Sequence, residues 1–287
     1  MTTLGNMEKW TLRFAVVALL FLALSGFEGM LMRSQQYNID SLHGMEALLN
    51  NLRPGDVEPT TAELYYAMLS AHPIVGIYGF VYMAVFGAFY FLVPYLIQKP
   101  VKHPKLVVAN FWLQIIGVMT CWAAGFFGLF NAMYTLYWPL PVAFDRVPIV
   151  GSIFFMLGAA AIMVNILLFS YNIFKTVLSK NGEGSYTMGQ FLRAAFGIPR
   201  LLKLFGKEDK TAVNLDYNGL PPFIVAVARG SIDTVINAIV LLSAGVLILV
   251  YGLFALFGHP LNPLAVDALI YKNIYWWGLD MVADGNA

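Results

Sequence analysis

Six ionisable side chains lie inside otherwise apolar stretches, and these residues could do chemistry in a membrane. They are Glu28, His72, Arg229, Asp233, Asp280 and Asp284. An ionisable group within a membrane segment is costly, so each marks a candidate functional site. The sequence has no phosphate-binding glycine loop, no dinucleotide-binding glycine motif, no HExxH pair and no nucleophile elbow. Nothing in it therefore points to hydrolysis or phosphoryl transfer.

His72 offers the most specific chemistry, because an imidazole nitrogen can ligate haem iron. The small and aromatic residues after it could let a flat macrocycle lie against the helix; they are Gly76, Gly79, Phe80, Phe86, Gly87 and Phe89. The alternative is a structural histidine that hydrogen-bonds near the membrane interface. A cytochrome with paired histidine ligands is not expected from this chain alone, since the other histidines fall in predicted loops: His43, His103 and His259.

The remaining ionisable residues have two interpretations each. Arg229 and Asp233 are four positions apart, so they can pair on one helix face, either as an interfacial pair or for proton entry or subunit docking. Asp280 and Asp284 share the same spacing and could bind a cation or carry protons, or could have no role. Glu28, near the outer end of the first apolar run, either reaches the interface or carries protons.

The composition is that of an integral membrane protein. The 287 residues are 59% hydrophobic and 11% charged, whereas a soluble domain is about 45–50% apolar and about 25% charged. The net charge of +1 argues against a nucleic-acid partner, which requires a basic face. The single cysteine, Cys121, excludes a disulfide framework within the chain.

Apolar runs long enough to cross a bilayer predict an all-α transmembrane helix bundle. A span needs about 20 apolar residues. The sequence predicts one domain over residues 1–287, with five full spans and the start of a sixth: 12–32, 65–97, 106–134, 147–174, 222–257 and 269–287. Because 12 of the 17 basic residues flank one set of loops, the N-terminus is expected in the cytoplasm. The loop 33–63 is then external, and the basic loop 176–221 is cytoplasmic and lies against the anionic inner leaflet.

Several motifs, in order along the chain, resemble catalytic subunit I of the haem–copper oxidase superfamily. The stretch SGFEGMLMRSQQ (25–36) resembles the end of that family's first helix. The second helix, which carries the low-spin haem histidine, is similar to LSAHP (69–73) with the run ending in FLVPY (91–95). Looser similarities are NFW (110–112), YTLYWPLP (134–141) and IYWW (274–277).

The resemblance implies a function and a cofactor. It implies that His72 is an axial ligand of a low-spin haem. The chain would be the haem-binding part of a respiratory terminal oxidase, in which electron transfer to dioxygen is coupled to proton translocation. It would sit in a prokaryotic cytoplasmic membrane and work with an electron-donor subunit.

The departures from the family pattern lie near the end of the chain. Asp280 stands where the family has its first metal-ligating histidine, and a carboxylate favours iron or another oxygen-loving ion over copper. Asp284-Gly285 is similar to the Glu-Gly of the nitric oxide reductase branch. The family's further histidines lie beyond a sixth span, so copper or non-haem iron is expected only with a second-half subunit or a C-terminal remainder. The alternatives are a nitric oxide reductase-like subunit and a non-catalytic scaffold subunit.

Overall fold

The computed structural model describes most of the first 178 residues and part of the remainder. The described residues are 4–37, 61–97, 99–128, 149–178, 189, 193, 198–207, 235–240, 246, 249–250, 253–254, 256–259, 269–270, 273–274 and 277. Of the candidate site residues, four lie outside them: Arg229, Asp233, Asp280 and Asp284. Most of the predicted loops 33–63 and 176–221, and much of the predicted fifth and sixth spans, also lie outside them.

The described part of the chain is helical and contains no strand. Its elements are α1 (Leu4–Gln36), α2 (Thr61–Pro73), a π-helix (Ile74–Val81), α3 (Tyr82–Ile97), α4 (Pro104–Phe126), α5 (Ile149–Val177) and α6 (Ile198–Leu204). Four helices are long and apolar enough to cross a membrane: Met7–Gln36, Leu64–Ile97, Pro104–Phe126 and Ile153–Val177. The all-helical membrane architecture is therefore confirmed, and each of the first four predicted spans overlaps one of these helices.

The second span changes its helical geometry directly after His72. Proline lacks an N–H group, and its ring clashes with the carbonyl four residues earlier, so an α-helix cannot continue undisturbed through Pro73. The π-helix Ile74–Val81 follows at once. The amide Nε2 of Gln114 donates to the carbonyl oxygen of Tyr78 at 2.6 Å, which gives this wider helix a hydrogen bond from α4. Such π-helical segments frequently occur at functional sites.

Glycines of the second span let α1 approach closely. Three positions would place a Cβ 2.7–2.9 Å from a side-chain atom of α1, and the pairs are Gly76 with Ser25, Gly79 with Phe21, and Gly87 with Phe14. The ring of Phe86 stacks on Phe169 of α5, with centroids 4.2 Å apart. The expectation that Gly76, Gly79 and Gly87 leave a flat surface for a macrocycle is therefore wrong, because side chains of α1 fill the space beside them.

Buried amide side chains join α3, α4 and α5. Asn110 donates from Nδ2 to Oδ1 of Asn165 at 2.6 Å, and Asn165 donates from Nδ2 to Oε1 of Gln114 at 2.8 Å. The hydroxyl of Tyr90 donates to Oδ1 of Asn110. Asn172 extends the set by donating to the carbonyl of His103 at 3.0 Å. Since the bilayer interior supplies no water, these bonds fix how the three helices align.

Asn165→Ala is expected to lower the free energy of unfolding by about 1 kcal/mol, because it leaves amide groups of Asn110 and Gln114 without their partner. Thermal unfolding in detergent measures the effect. Ser170→Ala is the matched control, since Ser170 is equally buried on α5 and its hydroxyl has no hydrogen-bond partner among the described residues. Equal unfolding temperatures for the two variants would contradict the stabilising role of the amides.

Candidate functional site

His72 lies one residue before the end of α2, inside the second span, and its imidazole is half-buried. Its Nδ1 is 3.2 Å from the hydroxyl oxygen of Ser25 on α1. A Cβ at Gly29, one turn further along α1, would lie 3.4 Å from its Cε1. When Nδ1 carries the proton and donates to Ser25, Nε2 presents a lone pair. In that tautomer the ring can ligate a metal through Nε2.

The residue before His72, Ala71, belongs to a buried apolar cluster. The cluster consists of Met32, Leu64, Ala67, Met68, Ala71 and Phe126. The helix α4 packs against it, since a Cβ at Gly125 would lie 3.2 Å from the Cβ of Ala71. The members of this cluster come from α1, α2 and α4, so it packs these three helices together.

Glu28 is placed inside the bundle, with 2% of its surface exposed. The indole Nε1 of Trp122 donates to its Oε1 at 2.6 Å. Its other oxygen, Oε2, is buried and has no hydrogen-bond partner among the described residues. Glu28 is therefore buried among the helices instead of reaching the membrane interface, and its role as a proton carrier stays a prediction.

A second set of polar contacts connects the end of α1 to the start of α2. Arg33 donates from Nη1 to Oε1 of Gln36 at 2.7 Å, and Gln36 donates from Nε2 to the hydroxyl of Tyr65 at 2.7 Å. The guanidinium of Arg33 also lies over the ring of Tyr37, 5.1 Å from its centroid. These contacts hold the two helices together at the end of the bundle where His72 lies.

Two residues of the site were missed by the sequence reasoning. Ser25 contacts His72, and Trp122 contacts Glu28 across a separation of 94 residues. Ser25 lies 47 residues before His72, so no local sequence pattern connects the two. No sequence pattern near Trp122 indicates that it contacts Glu28.

The described residues contain no group of three or more His, Cys, Asp or Glu side chains that could hold a metal ion. Within them, the sequence-predicted site residues are His72, which contacts α1, and Glu28, which lies on α1.

The family of this chain follows from a comparison of its sequence with known protein families. The chain matches the family model described as cytochrome c and quinol oxidase polypeptide I over residues 9–280. This match covers most of its length. The chain belongs to this family. No curated protein matches the chain. Membership in the cytochrome c and quinol oxidase polypeptide I family confirms the resemblance to haem–copper oxidase subunit I.

The donor set suits the cofactor that the family binds. With Nδ1 donating to Ser25, Nε2 of His72 would be a nitrogen ligand of the type that holds haem iron. The residues present therefore fit a haem ligated at Nε2 of His72.

Proposed function

We propose that this chain is the membrane-embedded haem-binding part of a respiratory terminal oxidase, with His72 as an axial ligand of a low-spin haem. The observation that carries the proposal is the hydrogen bond between Ser25 and Nδ1 of His72, inside a membrane span of a family member. Because the Ser25 hydroxyl contacts Nδ1, the other ring nitrogen, Nε2, is the atom that would ligate iron.

Within this function the chain supplies binding and orientation of the haem ligand. A haem bound here would supply reversible one-electron oxidation and reduction. Ser25 accepts a hydrogen bond from Nδ1–H of His72, which orients the ring and raises the basicity of Nε2. The apolar cluster that includes Ala71 and Phe126 packs the helices beside this residue.

Apart from Glu28, the residues that the rest of the proposal names lie outside the described part of the chain. The second axial ligand and the oxygen-reducing metal centre come from a second-half subunit or a C-terminal remainder. Electrons arrive from a donor subunit, and the complex sits in a prokaryotic cytoplasmic membrane with the N-terminus of this chain inside. Proton translocation uses Glu28, with Arg229 and Asp233 at the entry, while Asp280 and Asp284 contribute to the metal centre.

The motif Asp284-Gly285 favours a second candidate, a nitric oxide reductase-like subunit. The two candidates share the haem at His72 and differ in the gas that is reduced. A scaffold subunit without catalysis is the third candidate, and it differs from both by lacking haem.

The test uses the assembled complex, purified through an affinity tag on this chain. Reduced-minus-oxidised absorption spectra and a pyridine haemochrome assay measure its haem, and gas electrodes measure consumption of dioxygen and of nitric oxide. We expect low-spin haem and dioxygen consumption. Nitric oxide consumption alone supports the second candidate, and an assembled complex without haem overturns both.

Ser25→Ala is expected to retain haem but to make its midpoint potential more positive. The imidazole loses the acceptor for its Nδ1 proton, becomes less basic and stabilises ferric iron less. Redox titration of the complex measures the potential. Ser34→Ala is the control, because the Ser34 hydroxyl donates to the Leu31 carbonyl of its own helix at 2.8 Å. Equal potentials in the two variants would show that Ser25 only packs against the ring.

A further inference from the structure

Glu28 is a buried acid with half of its hydrogen-bonding capacity unused. Oε1 accepts a hydrogen bond from Nε1 of Trp122, while Oε2 has no partner among the described residues, and none of their cations forms an ion pair with it. Trp122 is held in place by stacking on Phe126, with centroids 5.8 Å apart and an interplanar angle of 7°. The acceptor oxygen is thus fixed, and the second oxygen is buried without a hydrogen-bond partner among the described residues.

The protonation state of Glu28 follows from this arrangement. An unpaired carboxylate in an apolar interior costs far more free energy than the neutral acid. Because Trp122 already donates to Oε1, the proton of a neutral Glu28 belongs on Oε2. A buried O–H group is itself an obligatory donor, so it requires an acceptor atom.

We propose that Glu28 and Trp122 form a binding site for one oxygen atom, which accepts the hydrogen bond from the Oε2–H group of Glu28. The oxygen belongs either to a buried water molecule or to a carboxylate substituent of a bound haem. Water commonly occupies buried polar positions of this kind. The haem source rests on the proposed function, since Glu28 stands on α1 between Ser25 and Gly29, the two positions that meet His72.

The test is infrared difference spectroscopy of the complex in water and in deuterated water. A neutral carboxylic acid has a carbonyl band apart from those of ionised carboxylates, and its frequency reports whether the O–H group donates. We expect an acid band that shifts in deuterated water, has the frequency of a donating O–H group, and is absent in Glu28→Gln. Glutamine keeps the acceptor for Trp122, so the variant retains this contact between α1 and α4.

Two further variants separate the effect of the Trp122 hydrogen bond on the acid band from the effect of removing an exposed carboxyl group. Trp122→Phe removes the N–H donor and is expected to move the acid band to higher frequency. Glu8→Gln is the matched control, because Glu8 lies exposed on the same helix, and its spectrum is expected to keep the band unchanged.

The source of the oxygen is read by comparing preparations with and without haem. An unchanged band indicates water, and a shift that occurs only with haem indicates the haem carboxylate; both support the site. The proposal is overturned if Glu28→Gln removes no acid band, or if the band has the frequency of an O–H group without an acceptor. A complex without haem contradicts the proposed function. In that complex the acid band of Glu28 still tests whether the site binds water.

Discussion

The His72→Gly variant is expected to lose the low-spin haem spectrum of the assembled complex and to regain it when imidazole is added. Removing the outer hydrogen-bond partner of a metal-ligating histidine commonly costs about 10–100-fold in affinity or activity. Removing the ligand itself costs more, so haem content in the low-spin site falls below detection. Added imidazole fits the space that the side chain leaves and supplies a nitrogen to the iron.

The matched control is His259→Gly, because His259 is exposed. Absorption and electron paramagnetic resonance spectra of both variants measure the low-spin haem. The control is expected to retain the full signal. The assignment of His72 fails if the variant keeps the low-spin signal without imidazole, since the iron ligand would then lie elsewhere. Recovery with imidazole separates loss of the ligand from loss of the fold.

The membrane spans could be predicted from composition because burial in lipid depends on apolar length. The predicted second span, 65–97, differs by one residue from the observed Leu64–Ile97. The predicted third span, 106–134, extends beyond the observed helix α4, which ends at Phe126. Apolar residues continue past that point, and an apolar run does not by itself indicate where the helix stops. The predicted fourth span ended at 174, whereas α5 extends to Val177, and Thr176 in its last turn donates to the carbonyl of Asn172 at 2.7 Å.

The site could be predicted only in part because its contacts join distant segments. His72 was identified from its own chemistry, and its place within a span is confirmed. Its partner Ser25 lies 47 residues earlier, and such a separation leaves no local signal. The glycines after His72 were misinterpreted since a small residue admits a helix or a cofactor equally well. Only the packing of α1 against Gly79 and Gly87 distinguishes the two.

The contact between α4 and α5 predicts the second large effect, a loss of stability when Gly158 is replaced by alanine. A Cβ at Gly158 would lie 2.7 Å from both the backbone nitrogen and the Sγ of Cys121, and 2.8 Å from the carbonyl oxygen of Gly117. The Sγ of Cys121 also donates to the carbonyl of Phe155 at 3.2 Å. Backbone atoms cannot rotate away from an added methyl group, so the two helices must separate along this contact.

Gly158→Ala is therefore expected to lower the free energy of unfolding by about 2–3 kcal/mol, the upper part of the range for overpacking a close-packed interior. Gly26→Ala is the control, because a Cβ there would have no heavy atom within 4 Å. Alanine favours a helix over glycine by up to about 1 kcal/mol, so the control keeps or raises the stability. Thermal unfolding of both variants in the same detergent isolates the steric effect, since both substitutions make the same chemical change in a helix. If Gly158→Ala unfolds at the temperature of Gly26→Ala, the close approach of α4 and α5 does not hold, and the alignment of Asn110 with Asn165 loses its support as well.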